Sequence, residues 1–258
     1  MKRERIDKLL VGRGLAETRT KAQAMVMAGV VLVNEQRVDK PSEQFSIDAQ
    51  IRIKGGDDPT SRFVGRGGLK LQAALSDFQI NAQDLTCLDV GASTGGFTDC
   101  LLQNGAGKVF SIDVGHNQID WRFRNDPRVV VREGVNARYL KPEDFPVKFD
   151  LIVVDVSFIS VTKILPALGP LLTDDGQLIV LIKPQFEVGK GEVGSGGVVR
   201  DPAKRLRVVD EVNRAAAALG LENLGVIESP IQGGEGNVEF LGLYRLSPRP
   251  GTAGVLAC

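Results

Sequence analysis

Beyond residue 85 the chain switches repeatedly between two hydrophobic rhythms, and this alternation limits its fold more than any other feature. Apolar strands read at TCLDVGA, KVFSIDV, RVVVREG, FDLIVVDVSF and QLIVLIKP, with helical stretches between them. Strands that alternate with helices pair in parallel, and the helices cover both faces of the sheet. Residues 202–219 read as one long helix with a proline at its start. LENLGVIESPI and VEFLGLYRL follow, joined by the short turn QGGEGN, so these two strands pair antiparallel. The expectation is an α/β domain with a mostly parallel seven-stranded sheet and an antiparallel last strand.

The first sixty residues follow a different pattern. Ile6, Leu9 and Leu10 share one helical face, which Gly12 and Gly14 terminate. Thr18 is a suitable N-cap for a second helix, with Ala22, Met25 and Val26 inward and Gly29 at its end. VVLVNEQRV turns at Asn34-Glu35, and FSIDAQIRI alternates as a strand. A small α+β domain over 1–58 is therefore expected, then a linker over 59–66, the α/β domain over 67–248 and a tail over 249–258.

Lys+Arg and Asp+Glu both number 32, so net charge says nothing about partners. Its distribution does: residues 1–24 hold seven basic against three acidic side chains. Arg3, Arg5, Arg13, Arg19 and Lys21 are candidate phosphate contacts, and Arg66 adds to them from the basic stretch at 61–72. The alternative is an ordinary solvated face. Cys87, Cys100 and Cys258 show neither paired nor metal-binding spacing, which fits a reducing compartment. No apolar run approaches the ~20 residues that span a bilayer, and the first ten residues lack a signal-peptide core. A cytoplasmic protein is expected, without membrane contact and without a metal.

LDVGASTGGFTDCLL lies where the first strand of the α/β domain meets its first helix. Gly91, Gly95 and Gly96 let the backbone approach a ligand, and Ala92, Ser93, Thr94 and Phe97 complete the turn. Asp113 ends the next strand, where a carboxylate can accept hydrogen bonds from a ribose. The spacing is not that of a dehydrogenase, and the Gly-Lys-Ser/Thr of a phosphate loop is absent. The combination suits S-adenosylmethionine in a Rossmann-like fold, with Asp89 expected beside the methionine ammonium. A glycine turn that merely packs helix on sheet is the plainer reading.

In a parallel sheet, ligands bind beyond the carboxyl ends of the strands. Asp155 ends one strand in LIVVDVSF and Lys183 ends the next in LIVLIKPQ, so both point to the cofactor's cleft. Capping and snorkelling to solvent are the competing explanations. Lys70, in GRGGLKL, and Glu239, in GNVEF, are further candidates that spacing alone does not bring there. The glycine-rich segment FEVGKGEVGSGGVVRDP reads as a lid that orders over RNA.

With GRGGLKL, LDVGASTGGFTD, RNDPRVVV, VDVSFIS, IKPQFEVGKGEVGSGGVVRDP and GNVEF, the chain resembles the TlyA family within the FtsJ-like methyltransferases. RIDKLL, GLAETRTKA and GVVLVN resemble an S4-type RNA-binding domain. The resemblance implies transfer of methyl from S-adenosylmethionine to the 2′-hydroxyl of cytidine in ribosomal RNA, with ribosomal RNA or ribosomal subunits as partners. It implies a catalytic tetrad carried onto Lys70, Asp155, Lys183 and Glu239. Phe63 stands where the family often carries tryptophan. Whether Lys183 takes the proton or steadies the developing oxyanion stays open. A non-catalytic ribosome-binding factor is the main rival; a membrane-active haemolysin has no supporting segment.

Overall fold

The computed structural model describes residues 3–34, 36–53, 62–189 and 191–247. The chain divides into two compact units, Met1–Arg62 and Phe63–Cys258. Residues 59–61 of the expected linker, the tail with Cys258, and Glu35 of the expected turn lie outside the described residues.

In the smaller unit, strand β1 (Arg3–Arg5) leads into helices α1 (Ile6–Gly12) and α2 (Arg19–Met27). Thr18 caps α2 by accepting from the Lys21 amide at 3.2 Å. Strands β2 (Val31–Val33), β3 (Gln36–Arg37), β4 (Gln44–Ser46) and β5 (Ile51–Ile53) follow. β2 pairs antiparallel with β3 and β5, and β1 with β4. The stretch read as one strand is thus two. The amide of Ala49 turns back to the Ser46 carbonyl at 3.0 Å and separates them. Ile6, Leu10, Ala22, Val26, Val31 and Val33 form the core.

The larger unit opens with helix α3 (Gly67–Asp77), and its sheet begins with β6 (Thr86–Val90), α4 (Gly96–Gln103) and β7 (Lys108–Asp113). Next come α5 (Trp121–Arg124), β8 (Val129–Glu133), β9 (Phe149–Val154), α6 (Leu165–Leu168) and β10 (Leu172–Ile182). α7 (Pro184–Glu187), α8 (Pro202–Ala218), β11 (Leu221–Glu228) and β12 (Phe240–Leu246) complete it. The strand order is β11-β12-β10-β9-β6-β7-β8, and only β12 runs against its neighbours. The order reverses on either side of β6, which opens a crevice at the carboxyl ends of β6 and β9.

Both faces of the sheet are covered, which explains the near-continuous apolar strands. Leu88, Ile152, Val154, Leu178 and Val180 pack with Val208 and Val212 of α8 on one face. Cys87, Leu151, Val153, Ile179 and Leu181 pack with α3 and α4 on the other. Each fully buried Leu, Ile or Val contributes about 1.5–3 kcal/mol of transfer free energy. Val64, expected in the linker, is held in this unit by its amide's 2.7 Å bond to Asp99 Oδ2. Phe63 is buried in the same core, so close that a Cβ on Gly68 would overlap its ring.

The glycine-rich segment after α7 is anchored beyond Lys190, which lies outside the described residues. Glu192 pairs with Arg207 of α8 at 2.7 Å. Asn237 is buried, accepts from the Val199 amide and donates to the Gly197 and Gly234 carbonyls.

Candidate active site

Two adjoining cavities occupy the crevice, and both are lined by Gly91, Ser93, Asp155 and Ser157. The larger, about 500 Å³, runs along the ends of β7 and β9 between Asp113, Val114, Val135 and Ile164. The smaller, about 300 Å³, lies among Gly65–Gly67, Lys70, Lys183 and Gly233.

The glycine turn shapes the wall between them. Gly91 has φ +84°, and a Cβ there would stand 2.3 Å from the Asp155 carbonyl oxygen. No other residue type allows the turn to pass so close to the end of β9. Ala92, Thr94, Gly96 and Phe97 line the smaller cavity. Gly95 lines neither; at φ +98° it leaves room for the Phe123 ring, so its service is to packing. Asp113 accepts from the Ser93 amide at 2.8 Å and the Gly115 amide at 2.7 Å. Each of its oxygens keeps lone-pair capacity toward the larger cavity.

Asp89 differs from the expectation. It is buried, lines neither cavity, and turns beneath α4 because alternation on β6 puts it on the face of Cys87. There Oδ2 accepts from Thr98 Oγ1 at 2.6 Å, Thr98 meets Ser111 Oγ at 2.7 Å, and Oδ1 has no partner. Burial pushes the Asp89 carboxyl up to about 7, and the Thr98 hydroxyl pulls it back only in part. An unfolded aspartate titrates near 3.9, so between about pH 4 and 7 the folded chain keeps a proton that the unfolded chain has lost. Stability contributed by this group is therefore full below that window and declines as pH rises through it. Asp89→Asn is expected to flatten the decline in urea denaturation of the larger unit at stepped pH; an unaltered profile refutes it.

Two lysine–carboxylate pairs meet at the smaller cavity. Lys70 Nζ on α3 lies 2.5 Å from Glu239 Oε2, which immediately precedes β12. Lys183 Nζ, just beyond β10, lies 2.5 Å from Asp155 Oδ1, just beyond β9. Glu239 does not itself line the cavity; Gly233 does, and a Cβ on Gly233 would overlap the Glu239 carboxylate.

Three residues not singled out in the sequence support these pairs and their surroundings. Ser157 Oγ accepts from Lys183 Nζ at 2.9 Å. Gln185 Nε2 donates to Glu239 Oε1 at 3.2 Å. Glu187 accepts from Ser160 Oγ at 2.6 Å and from the Val161 amide at 2.7 Å. Burial pushes the Glu187 carboxyl up from its ordinary range, and the Ser160 hydroxyl and Val161 amide pull it down. The single turn α7 thus braces the Lys70–Glu239 pair through Gln185 and holds the segment after Asp155 through Glu187. The available signal was its place directly after Lys183, with polar residues at alternate positions.

Of the candidate phosphate contacts, exposed Arg66 lines the smaller cavity. The others lie in the smaller unit, and several are already engaged. Asp7 is fully buried and receives Arg5 in two bonds, Arg19 at 2.9 Å and Gln23 at 2.9 Å. The Arg5 guanidinium holds the Asp7 carboxyl far below its ordinary range, against the effect of burial. Lys21 pairs with Glu17 at 3.1 Å. Arg3 and Arg13 donate to neutral backbone carbonyls, Arg3 to Gln44 at 2.6 Å and Arg13 to Ala49 at 2.7 Å, and among the described residues neither meets a carboxylate.

Neither Cys87 nor Cys100 lines either cavity. Both are buried in the core, and burial pushes the Cys87 thiol up to about 12. Among the described residues no group of acidic, histidine or cysteine side chains could hold a metal, and no helix is long and apolar enough to cross a membrane.

The model of FtsJ-like methyltransferases matches residues 63–245, and that of the S4 domain matches residues 4–51. The chain belongs to the FtsJ-like methyltransferase family. It is 46% identical over 239 residues to the 16S/23S rRNA (cytidine-2'-O)-methyltransferase TlyA of Mycobacterium tuberculosis, covering 93% of this chain and 88% of that protein. It is 40% identical to Hemolysin A of Brachyspira hyodysenteriae, over 92% of this chain and 98% of the other. A solved structure from Streptococcus thermophilus superposes with a TM-score of 0.74 at 45% identity, over 96% of this chain and 90% of that one. This FtsJ-like methyltransferase is an S-adenosylmethionine-dependent enzyme. Its crevice fits that cofactor. The larger cavity offers apolar walls and the Asp113 carboxylate to a nucleoside, and the close turn at Gly91 adjoins the lysines.

Proposed function

We propose that the chain transfers the methyl group of S-adenosylmethionine to the ribose 2′-hydroxyl of cytidine in ribosomal RNA. The observation that carries this reading is the meeting of the Lys70–Glu239 and Lys183–Asp155 pairs at a cavity that adjoins the nucleoside-sized one. The reaction named for the M. tuberculosis relative supports it. The proposed division of labour assigns RNA docking to residues 1–58 and transfer to 67–248, in the cytoplasm.

When bound, S-adenosylmethionine supplies an electrophilic methyl group on a positively charged sulfur. The chain's work is to align the ribose oxygen with that carbon and to manage the hydroxyl proton. Alignment alone contributes up to roughly 7–11 kcal/mol in favourable cases. Lys183, held by Asp155, is the group assigned to the hydroxyl: as an amine it accepts the proton, and as an ammonium it stabilises the developing oxyanion. Lys70, held by Glu239, adds a second cationic group at the same cavity. Asp113 is assigned to the cofactor ribose, and Gly91, Ala92, Ser93, Thr94, Gly96 and Phe97 to the cofactor's methionine side.

The test is incubation of ribosomal subunits with the purified protein and methyl-tritiated S-adenosylmethionine, followed by nuclease mapping of 2′-O-methyl marks. Label on the ribose of a cytidine is expected. Label on a base or on protein, or none in RNA, overturns the reading.

Arg3→Ala is expected to weaken RNA binding and to lower the salt slope by about 0.7–0.9 for one lost phosphate contact. Arg5→Ala should in addition destabilise the smaller unit, because it strips two bonds from the buried Asp7. Filter binding at stepped salt measures the first effect, and an unaltered slope removes Arg3 from the contacts.

A further inference from the structure

We infer that Ser157 is a positioning residue for the transfer reaction, fixing the direction in which the Lys183 nitrogen meets the reacting oxygen. The inference deepens the reading of 2′-hydroxyl methylation and rests on it.

A lysine nitrogen is tetrahedral. In Lys183 one direction is taken by its own carbon chain, one by Asp155 Oδ1 at 2.5 Å and one by Ser157 Oγ at 2.9 Å. A single direction remains, and Lys183 lines the smaller cavity. With Asp155 as the sole partner, rotation about the last carbon–nitrogen bond would let a neutral amine exchange its second N–H with its lone pair. Ser157, as acceptor, holds that second N–H. The lone pair is then left to the remaining direction, ready for a hydroxyl proton. After it takes that proton, the resulting ammonium keeps both acceptors without rearranging.

The surroundings of Ser157 serve the same geometry. Ser157 is exposed and lines both cavities. The next residue, Phe158, has φ +65°, a region that bulky side chains seldom adopt. Phe158 is 91% exposed, yet its ring centroid rests 5.2 Å from that of Phe186 of α7. Glu187 grips the far side of the same turn through Ser160 and Val161. The turn carrying Ser157 is therefore tied to the residues that follow Lys183, so hydroxyl and amine are set by one local frame.

Single-turnover methylation of ribosomal subunits by wild type, Ser157→Ala and Ser157→Thr tests the inference, alongside calorimetric binding of S-adenosylmethionine. Ser157→Ala is expected to lower kcat about 10- to 100-fold, the scale of a misdirected catalytic group, with KM and cofactor affinity unchanged. Ser157→Thr keeps the hydroxyl and is expected to restore most of the rate. Wild-type kcat in Ser157→Ala overturns the role. So does an equal loss in the Ala and Thr variants, or a loss matched by weaker cofactor binding. If wild type itself transfers no methyl to ribose, the functional reading falls and takes the inference with it; a failure of Ser157 alone leaves wild-type transfer intact.

Discussion

Lys183→Ala is expected to abolish methyl transfer while S-adenosylmethionine still binds. The side chain is nearly buried at the end of β10 and spends its contacts on Asp155 and Ser157. The groups assigned to the cofactor are instead the 91–97 turn and the Asp113 carboxylate, whose bonds to Ser93 and Gly115 do not involve the lysine. Losing a positioned proton acceptor or oxyanion partner costs roughly 10²–10⁴-fold in rate. The fold should tolerate the change, since the Asp155 side chain is 22% exposed and water can replace its partner. Single-turnover transfer beside calorimetric cofactor binding reads both quantities. Turnover close to wild type removes Lys183 from the mechanism, and a fall that tracks lost cofactor binding makes it a cofactor ligand instead. Lys183→Arg divides the two roles, because a guanidinium keeps its charge but cannot accept a proton. Retained activity would point to oxyanion stabilisation, and a dead enzyme that still binds cofactor to proton transfer.

Glu239→Ala should have the largest effect on stability. Glu239 is 2% exposed, and its partner Lys70 is 10% exposed, so truncation leaves an ammonium buried without its counter-charge. Breaking a buried pair in this way costs about 3–5 kcal/mol. The Gln185 amide loses its acceptor as well. Urea denaturation of the full chain, following the transition of the larger unit, measures the loss. The double variant Lys70→Met, Glu239→Gln removes the buried charge and keeps an acceptor for Gln185. It is expected to regain most of the stability and none of the methyl transfer. An alanine variant as stable as wild type would show that water or a shifted Lys70 satisfies the site.

The wider arrangement explains why such substitutions separate activity from folding. The two lysine–carboxylate pairs hang from strand ends and one helical turn, while the two apolar layers lie along the sheet behind them. Asp155 and Lys183 sit at the rim, where parallel strands release their last side chains into the crevice. Glu239 is the most deeply buried of the four, so its pairing with Lys70 weighs most on stability.

What the sequence determined by itself was whatever follows from local period and strand direction. Alternating strands and helices dictated the sheet, the glycine turn dictated a ligand site at its first crossover, and parallel pairing sent Asp155 and Lys183 to a shared edge. Thr18 announced its helix because capping is settled within three residues. The tertiary structure alone decided the rest. Lys70 and Glu239, 169 residues apart, meet only because α3 packs over the sheet where β12 begins. Asp89 proved to be a core carboxylate because its face depended on which layer α4 would cover. Arg5 and Arg19 read as free charges until α1 and α2 folded around Asp7. Ser157 and Gln185 look like ordinary polar residues in the chain. Hydrogen bonds between segments far apart in sequence leave no periodic trace, so their partners become known only once packing has brought them within 3 Å or so.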